Sequence, residues 1–317
     1  MQSHVFAALV ACVFSFVFCK ALIPILRRFK AGQNILSYVK EHKKKSGTPT
    51  MGGLAFVLAA VVTSAIFVKQ PSRIFLLTLA IGLAYMVVGL IDDALKQKHK
   101  ENLGLRAWQK FAFQTAIAVL AGIACIRFNR TAMYIPFTDR QIQLGVWVLP
   151  LAVFVFLATV NAVNLTDGLD GLAASVSVPY FLSFATLIYL QNGETAIGIL
   201  CFALAGALVA YLLFNVSPAS VFMGDTGSLA LGGFAACVGC FSGNTLHIAV
   251  IGAPFVLSVV SVIIQVLYFK ATKGKRVFLM SPIHHHFQKK GYSESKISYA
   301  YGLVTVLLGA LCVACII

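Results

Sequence analysis

Polar side chains recur every third residue in one of the most apolar stretches of the chain. The segment NAVNLTDGLDGLA, residues 161–173, carries them at Asn161, Asn164, Asp167 and Asp170. Each step of three residues shifts the side-chain direction by about 60° on an α-helix, so Asn161 and Asp170 would point to opposite sides of an unbroken helix. Gly168 permits a break. We therefore expect a helix to end near Asn164, a turn over 165–169, and a new helix from about 170, with all four side chains facing one cavity.

A simpler explanation of this segment is helix capping, with Thr166 or Asp167 at the start of the next helix. Capping accounts for one of the four polar residues. It leaves two amides inside a predicted membrane span, where polar groups are costly and are usually functional. The segment is therefore a candidate binding site for a polar substrate.

Two adjacent carboxylates close another apolar run. Asp92 and Asp93, in GLIDDALKQK, are expected where the third predicted span leaves the membrane. A plain helix end explains them poorly, because negative charge opposes the dipole at a helix C-terminus. Adjacent residues on a helix point about 100° apart, so one carboxylate can hold a metal while the other meets a substrate.

A third acidic position begins an apolar helix. Asp225 directly precedes Thr226, Gly227 and Ser228 in VFMGDTGSLALGG. Free backbone N–H groups at a helix start favour a phosphate or another anion, and a carboxylate beside them can hold a divalent cation. An ordinary helix cap is the alternative for Asp225 taken alone. Its predicted position on the same membrane side as the other aspartates favours the cation site.

Three successive histidines at 284–286 lie in the segment SPIHHHFQKK. Pro282 predicts a loop there rather than a continuous helix, and in a loop two of the three rings can face one site. Zinc binding is one possibility, but cysteine partners are absent and the carboxylates suit magnesium better. The other possibility is that the rings contact phosphates.

Three further residues are candidates by position. Lys45 precedes Thr50 and the glycine pair of PTMGG at the start of the second span, although lysines at a span end are also the ordinary positive-inside signal. Gln265 is a polar residue late in the ninth span. We include all three among the predicted substrate contacts.

The composition identifies the kind of protein that must position these residues. Of 317 residues, 59% are hydrophobic and 11% are charged, whereas a soluble domain carries about 25% charged residues. We predict an all-α polytopic membrane protein, with residues 1–317 forming a single integral-membrane domain. Ten apolar runs approach spanning length: 4–26, 51–69, 72–91, 107–126, 146–163, 170–190, 195–213, 226–242, 247–268 and 297–317.

The distribution of positive charge predicts the orientation. The loops 27–50, 92–106 and 269–296 hold seven, four and seven Lys or Arg residues. The loops between them hold three in total. By the positive-inside rule both termini are extracytoplasmic, and eight of the ten acidic residues fall on the cytoplasmic side, which places the active site there. The net charge of +15 indicates lipid headgroups or a phosphorylated substrate as partner, and no nucleic-acid partner is expected.

Five motifs occur in one order along nearly the whole chain: PTMGG, DD, NAVNLTDGLDGLA, VFMGDTGS and PIHHHF. Together they resemble the phospho-N-acetylmuramoyl-pentapeptide transferases, within the polyprenyl-phosphate N-acetylhexosamine-1-phosphate transferases. The resemblance implies a magnesium-dependent homodimer with ten helices in the bacterial inner membrane. It also implies a reaction in which UDP-N-acetylmuramoyl-pentapeptide and undecaprenyl phosphate give undecaprenyl-diphospho-N-acetylmuramoyl-pentapeptide and UMP.

The resemblance also implies roles for single residues. Asp225 resembles the magnesium-binding aspartate, and Asp92 resembles a base or lipid-phosphate contact with Asp93 beside it, so these three are the predicted catalytic residues. Asp167 and Asp170 resemble residues near the uridine end. Substrate contacts are expected at Lys45, Thr50, Asn161, Asn164, Asp167, Asp170, Asn215, Phe222, Ser228, Gln265, His284, His285 and His286. Gln288 and Tyr292 depart from the family pattern, where Glu and Trp are more usual.

Two other functions compete with this one. A transferase of the same superfamily that uses UDP-N-acetylglucosamine is disfavoured by PIHHHF and PTMGG, by resemblance alone. An ion-coupled transporter would place its acidic residues near the membrane midplane and often shows repeated halves. Here the acidic residues are predicted at one interface, and no repeat is visible among the motifs.

Overall fold

The computed structural model describes residues 2–28, 47–99, 104–138 and 140–316, and this part of the chain is mainly helical. Its elements, in chain order, are α1 Gln2–Arg28, α2 Gly53–Phe67, α3 Arg73–His99, α4 Ala107–Arg127, β1 Ala132–Tyr134, β2 Gln141–Gln143, α5 Val148–Thr166, α6 Leu172–Leu190, α7 Thr195–Asn215, α8 Gly224–Phe241, α9 Thr245–Ile251, α10 Ala253–Ala271, α11 Ile283–Lys289 and α12 Glu294–Ala314. Lys45 lies outside the described residues.

Eight of the described helices are long and apolar enough to cross a membrane: α1, α3, α4, α5, α6, α7, α10 and α12. The chain is therefore a multi-pass membrane protein, as its composition predicts. Two more predicted spans correspond to α2, which has only 15 residues, and to α8, whose glycines and first-turn polar residues lower its hydrophobicity. The predicted run 247–268 is divided, because the chain bends at Gly252 between α9 and α10.

Helix α8 forms the centre of the fold. Every residue from Thr226 to Phe241 is buried, and α3, α5 and α2 pack around it. Its neighbours come very close: at Gly89 of α3 an added Cβ would overlap the carbonyl group of Asp225. A small residue at a helix contact permits such an approach, and this contact brings the C-terminal half of α3 against the first turn of α8.

One small β-hairpin interrupts the helices. Strands β1 and β2 pair antiparallel, with Ala132 opposite Gln143. The N–H of Tyr134 donates to the carbonyl of Gly243 at 2.8 Å, which ties the hairpin to the turn between α8 and α9. The sequence predicts a loop over 127–145, so the all-α expectation is correct except for this hairpin.

Helix α3 continues past the aspartates to His99, so it is longer than the predicted apolar run 72–91. Asp92 and Asp93 thus lie more than one turn before the helix end, and the dipole gives no reason for them to be there. One local expectation was wrong, since the histidines at 284–286 lie in a helix and not in a loop. Pro282 takes the N-cap position of the short helix α11, where a missing N–H does no harm.

The contact at Gly89 gives a prediction about stability. We expect Gly89→Ala to lower the free energy of unfolding by about 1–3 kcal/mol or more, because the new methyl group meets backbone that cannot rotate away. Thermal unfolding in detergent measures the change. Gly198→Ala in α7 is the matched control, since its Cβ would meet only the His4 ring at an ordinary 3.4 Å. Equal melting temperatures for the two variants would contradict the close α3–α8 packing.

Candidate active site

Three carboxylates from two packed helices meet at one point. Oxygen atoms of Asp92 and Asp93 in α3 and of Asp225 in α8 lie within 4.8 Å of one another. Asp92 and Asp93 are almost fully buried, at 2% and 3% exposure. Three negative charges so close together repel strongly unless cations neutralise them.

Asp93 anchors the first turn of α8. Its Oδ2 accepts hydrogen bonds from the backbone N–H and the hydroxyl of Thr226, at 2.9 and 2.7 Å, and its Oδ1 accepts from the N–H of Asp225 at 3.2 Å. The sequence predicts a bound anion at the start of α8, and in the structure the carboxylate of Asp93 takes that place at the N–H groups of Asp225 and Thr226. Asp93 therefore fixes the position of Asp225.

Two lysines neutralise the carboxylate cluster. Lys96 Nζ lies 2.6 Å from Asp92 Oδ2 and 2.9 Å from Asp225 Oδ2, and so bridges the two helices. Lys110 Nζ, at the start of α4, lies 2.7 Å from the same Asp225 oxygen. The other Asp92 oxygen accepts from the N–H of Leu105 at 2.8 Å. Asp225 is thus the convergence point of three helices.

The segment 161–173 contributes one amide to this cluster. Asn164 Nδ2 donates to Asp225 Oδ1 and to the hydroxyl of Ser228, both at 2.8 Å. Asn161, by contrast, donates to Gln114 Oε1 in α4 and to the Leu157 carbonyl, both at 2.8 Å. The expectation that all four polar residues face one cavity is therefore wrong for Asn161, which lies three residues further from the end of α5 and bonds to Gln114 of α4.

The turn after α5 is built as the glycine pattern predicts, but slightly later. Helix α5 ends at Thr166 and α6 begins at Leu172, and Gly171 between them adopts φ 74°, which glycine accommodates without strain. Asn215 holds this turn: its Oδ1 accepts from the Gly171 N–H at 3.1 Å and its Nδ2 donates to the Val221 carbonyl at 2.9 Å.

Asp170 is tied to the far side of the same turn. Its Oδ2 accepts from the N–H of Ala219 at 3.1 Å, and its own N–H donates to Glu294 Oε2 of α12 at 2.8 Å. Glu294 Oε1 in turn accepts from Gln288 Nε2 at 3.2 Å. An amide at 288 can donate to this carboxylate. This gives a local reason for glutamine at 288, where the family resemblance implies glutamate.

Asp167 is the half-buried carboxyl group at the tip of the turn. Burial, followed by the charges of Asp225, Asp93 and Asp170, raises its pKa well above the usual value. Asp167 therefore presents a carboxyl group to any ligand that reaches the tip of this turn.

The histidines of α11 lie directly against this turn. An added Cβ at Gly168 would meet the Nε2 atoms of His284 and His285, whereas His286 turns away and accepts from the N–H of Leu279 at 3.1 Å through Nδ1. The rings of His284 and His285 therefore both face the turn at Gly168, as expected for two of the three histidines. His284 is fully buried with both ring nitrogens unpaired among the described residues. Burial, and then His285, lower its pKa to about 3.

The PTMGG segment supports the loop before α8. The N–H of Phe222 donates to the Pro49 carbonyl at 2.8 Å, and the N–H of Gly52 donates to the Phe222 carbonyl at 2.9 Å. Thr50 is buried beside Gly224, next to the carboxylate of Asp93. The segment thus braces the backbone that presents Phe222 and Asp225.

Gln265 has a structural partner of its own. Its Oε1 accepts from the N–H groups of Val277 and Phe278, at 3.1 and 2.9 Å, and its Nε2 donates to the Phe278 carbonyl at 3.0 Å. Both ends of the amide therefore hold the segment that leads to α11. Substrate contact by Gln265 remains a prediction.

Sequence reasoning missed three charged residues of the site: Lys96, Lys110 and Glu294. One signal was present, since Lys96 follows Asp92 by four residues, the spacing at which side chains meet on a helix. Lys96 also lies in the predicted basic loop 92–106, so its pairing with Asp92 does not stand out in the sequence. Lys110 and Glu294 are brought in from α4 and α12 by the tertiary fold, and no local spacing reveals them.

Comparison with known proteins identifies the family. Residues 74–243 match the model of glycosyl transferase family 4, and residues 45–57 match signature 1 of phospho-N-acetylmuramoyl-pentapeptide-transferase. A phospho-N-acetylmuramoyl-pentapeptide-transferase of Clostridium novyi (strain NT) is 43% identical over 97% of this chain and 95% of its own. One of Staphylococcus aureus (strain bovine RF122 / ET3-1) is 45% identical over 95% of this chain and 97% of its own. The chain belongs to the phospho-N-acetylmuramoyl-pentapeptide-transferase family.

The donor set in this family member fits a hard divalent cation. Oxygen atoms of three carboxylates lie close together on rigid helices, and oxygen is what magnesium selects. Lys96 and Lys110 are drawn to the same Asp225 oxygen, so an ion and the ammonium groups must share or exchange the carboxylates. Cation binding at this site would thus be coupled to the position of Lys96.

That coupling predicts the effect of removing Lys96. We expect Lys96→Met to bind Mn²⁺, a magnesium substitute, roughly tenfold more tightly than the unmodified protein, because a competing cation is lost from two carboxylates. Electron paramagnetic resonance of free Mn²⁺ measures the affinity. Lys98→Met, at an exposed position two residues further on, is the control and should leave it unchanged. Weaker Mn²⁺ binding by Lys96→Met would contradict the exchange.

Proposed function

We propose that the protein transfers phospho-N-acetylmuramoyl-pentapeptide from its UDP-linked form to undecaprenyl phosphate. The products are undecaprenyl-diphospho-N-acetylmuramoyl-pentapeptide and UMP. The observation that carries this proposal is the meeting of Asp92, Asp93 and Asp225 with two lysines at the ends of membrane helices, in a chain of this family. Such a site can neutralise two reacting phosphates while one of them stays attached to a chain in the bilayer.

The proposed topology follows the charge distribution. With α2 and α8 added to the eight long apolar helices, the chain would cross the bacterial inner membrane ten times. Both termini would then be extracytoplasmic, and the carboxylate cluster would face the cytoplasm, where a nucleotide-linked substrate is available. We also propose that the protein functions as a homodimer, on the basis of the family resemblance.

The transfer itself requires one bond to form and one to break. A phosphate oxygen of undecaprenyl phosphate attacks the phosphorus next to the sugar, and the bond from that phosphorus to the bridging oxygen of UMP breaks. Magnesium, when bound, supplies positive charge to the phosphate oxygens. Asp225 is the proposed ligand, and Asp93 keeps Asp225 in place through its hydrogen bonds to the first turn of α8.

The lysines and Asp92 act on the nucleophile in this proposal. Lys96 bridges Asp92 and Asp225, so a cation bound to the carboxylates leaves its ammonium group available to a phosphate. Lys110 adds a second positive charge at the same point. Asp92 can accept the last proton of the lipid phosphate, which is the base role implied by the family resemblance.

The turn between α5 and α6 would hold the other end of the nucleotide sugar. Asp167 presents a carboxyl group for hydrogen bonding, and the half-buried ring of Phe222 is held by the PTMGG segment in the loop before α8. An aromatic face beside hydrogen-bonding groups suits a flat base such as uracil. His284, which its surroundings keep neutral, would donate a hydrogen bond to the diphosphate rather than add charge.

The central test removes Asp225. We expect Asp225→Ala and Asp225→Asn to lower kcat by roughly a thousandfold or more, because charge stabilisation of the transferred phosphate is lost. UMP release by the purified protein, with UDP-N-acetylmuramoyl-pentapeptide, undecaprenyl phosphate and Mg²⁺, is the measurement. Glu194→Gln is the control. Glu194 is the N-cap residue of α7, at the end of that helix away from Asn215, and its carboxylate pairs with Arg130.

Two outcomes would contradict the proposal. If Asp225→Ala forms lipid-linked product at the unmodified rate with Mg²⁺ present, the carboxylate cluster is not the reaction site. If UMP is released from UDP-N-acetylglucosamine and not from UDP-N-acetylmuramoyl-pentapeptide, the protein is a transferase of different substrate specificity.

A further inference from the structure

A cavity of about 530 Å³ lies between the end of α10 and α11, the short helix whose histidines pack against the turn at Gly168. Its described lining comes from the last turns of α10, from the segment between the two helices, and from the end of α11. The lining residues are Gln265, Val266, Phe269, Lys270, Arg276, Leu279, Met280, Ser281 and Lys289. Of these, only Gln265 belongs to the predicted substrate contacts.

The cavity combines positive charge with apolar surface. Lys270, Arg276 and Lys289 each come from a different part of the lining, and no carboxylate is among the described lining residues. The rest of the wall is largely apolar, and includes Val266 and Phe269. A ligand that fits both features has an anionic group and a hydrocarbon chain.

The position of the cavity indicates where that chain would run. Helix α10 is a candidate membrane span, and its side chains Ile263, Val266, Leu267 and Phe269 are exposed on the protein surface. In a membrane span such surface faces lipid. Lys270 lies in the last turn of the same helix, where a span ends and phospholipid headgroups begin. The cavity therefore opens at headgroup depth beside an apolar helix face.

We propose that this cavity binds the headgroup of an anionic glycerophospholipid. Its phosphodiester meets Lys270, Arg276 and Lys289, and an acyl chain lies along Val266 and Phe269. Basic pockets at the cytoplasmic ends of membrane helices bind such headgroups. The polyprenyl phosphate substrate fits less well, because its phosphate must reach the carboxylates of α3 and α8, and neither helix contributes to the cavity.

The cavity wall is held by specific hydrogen bonds. Gln265 uses both ends of its amide to hold Val277 and Phe278, and the N–H of Leu279 donates to His286 at 3.1 Å. These bonds connect α10, the intervening segment and α11 in one unit. A lipid bound across the three parts would hold them together, and with them His284 against the reaction site.

Native mass spectrometry of the full-length, delipidated protein tests the proposal. The protein is titrated with phosphatidylglycerol or with zwitterionic phosphatidylcholine. We expect the unmodified protein to bind one phosphatidylglycerol with clear preference. The triple variant Lys270→Gln, Arg276→Gln, Lys289→Gln should lose this binding by roughly a hundredfold, since each cation near a headgroup contributes about fivefold. The variant Arg27→Gln, Arg28→Gln, Lys98→Gln removes the same charge from exposed positions on other helices and should retain it.

Three results would overturn the proposal. Equal phosphatidylglycerol binding by the two triple variants would mean that general charge, not this cavity, attracts the lipid. Displacement of phosphatidylglycerol by one equivalent of undecaprenyl phosphate would assign the cavity to the lipid substrate. Weaker binding of UDP-N-acetylmuramoyl-pentapeptide, but not of its peptide-free form, by the Lys270, Arg276 and Lys289 variant would assign it to the peptide. None of these measurements requires turnover, so they are independent of the transferase proposal.

Discussion

The carboxylate of Asp225 lies at the first turn of a helix that is buried along its length, where an uncompensated negative charge is strongly unfavourable. Lys96, Lys110 and Asn164 all direct polar hydrogens to its two oxygens, at 2.7 to 2.9 Å. These partners come from α3, α4 and α5. The ends of three helices are therefore positioned by the need to compensate one charge, and the candidate site is the place where they meet.

The rest of the site keeps that charge where it is. The close approach of α3 at Gly89 and the hydrogen bonds from α8 to Asp93 fix the first turn of α8. The loop before it is braced by PTMGG on one side and by Asn215 on the other. Asp92, Asp93 and Asp225 would therefore offer a cation oxygen atoms already in place, and the two flexible lysine side chains would be the groups that move. Preorganised ligands with mobile counter-charges suit a site that must accept and release charged substrates repeatedly.

The sequence predicted the parts of this arrangement that depend on local pattern. Hydrophobic runs located the helices, and the glycines after Asn164 located the break between α5 and α6 within a few residues. The sequence does not predict the partner of Asn161, because Gln114 reaches it from α4 only through the packing of the two helices. The helix of the histidines is not evident from the sequence, because proline both breaks helices and occurs at their first positions, as Pro282 does here. Lys110 and Glu294 were beyond reach, since only the packing of distant helices brings them to the site.

Anomalous diffraction from Mn²⁺ bound to crystals of the full-length protein tests the central claim most directly. The account predicts one strong peak within about 2.3 Å of a carboxylate oxygen of Asp225, with the ammonium group of Lys96 moved away from its bridge between Asp92 and Asp225. A peak at the histidines of α11 with none at Asp225, or Mn²⁺ bound while Lys96 still bridges both carboxylates, would contradict it.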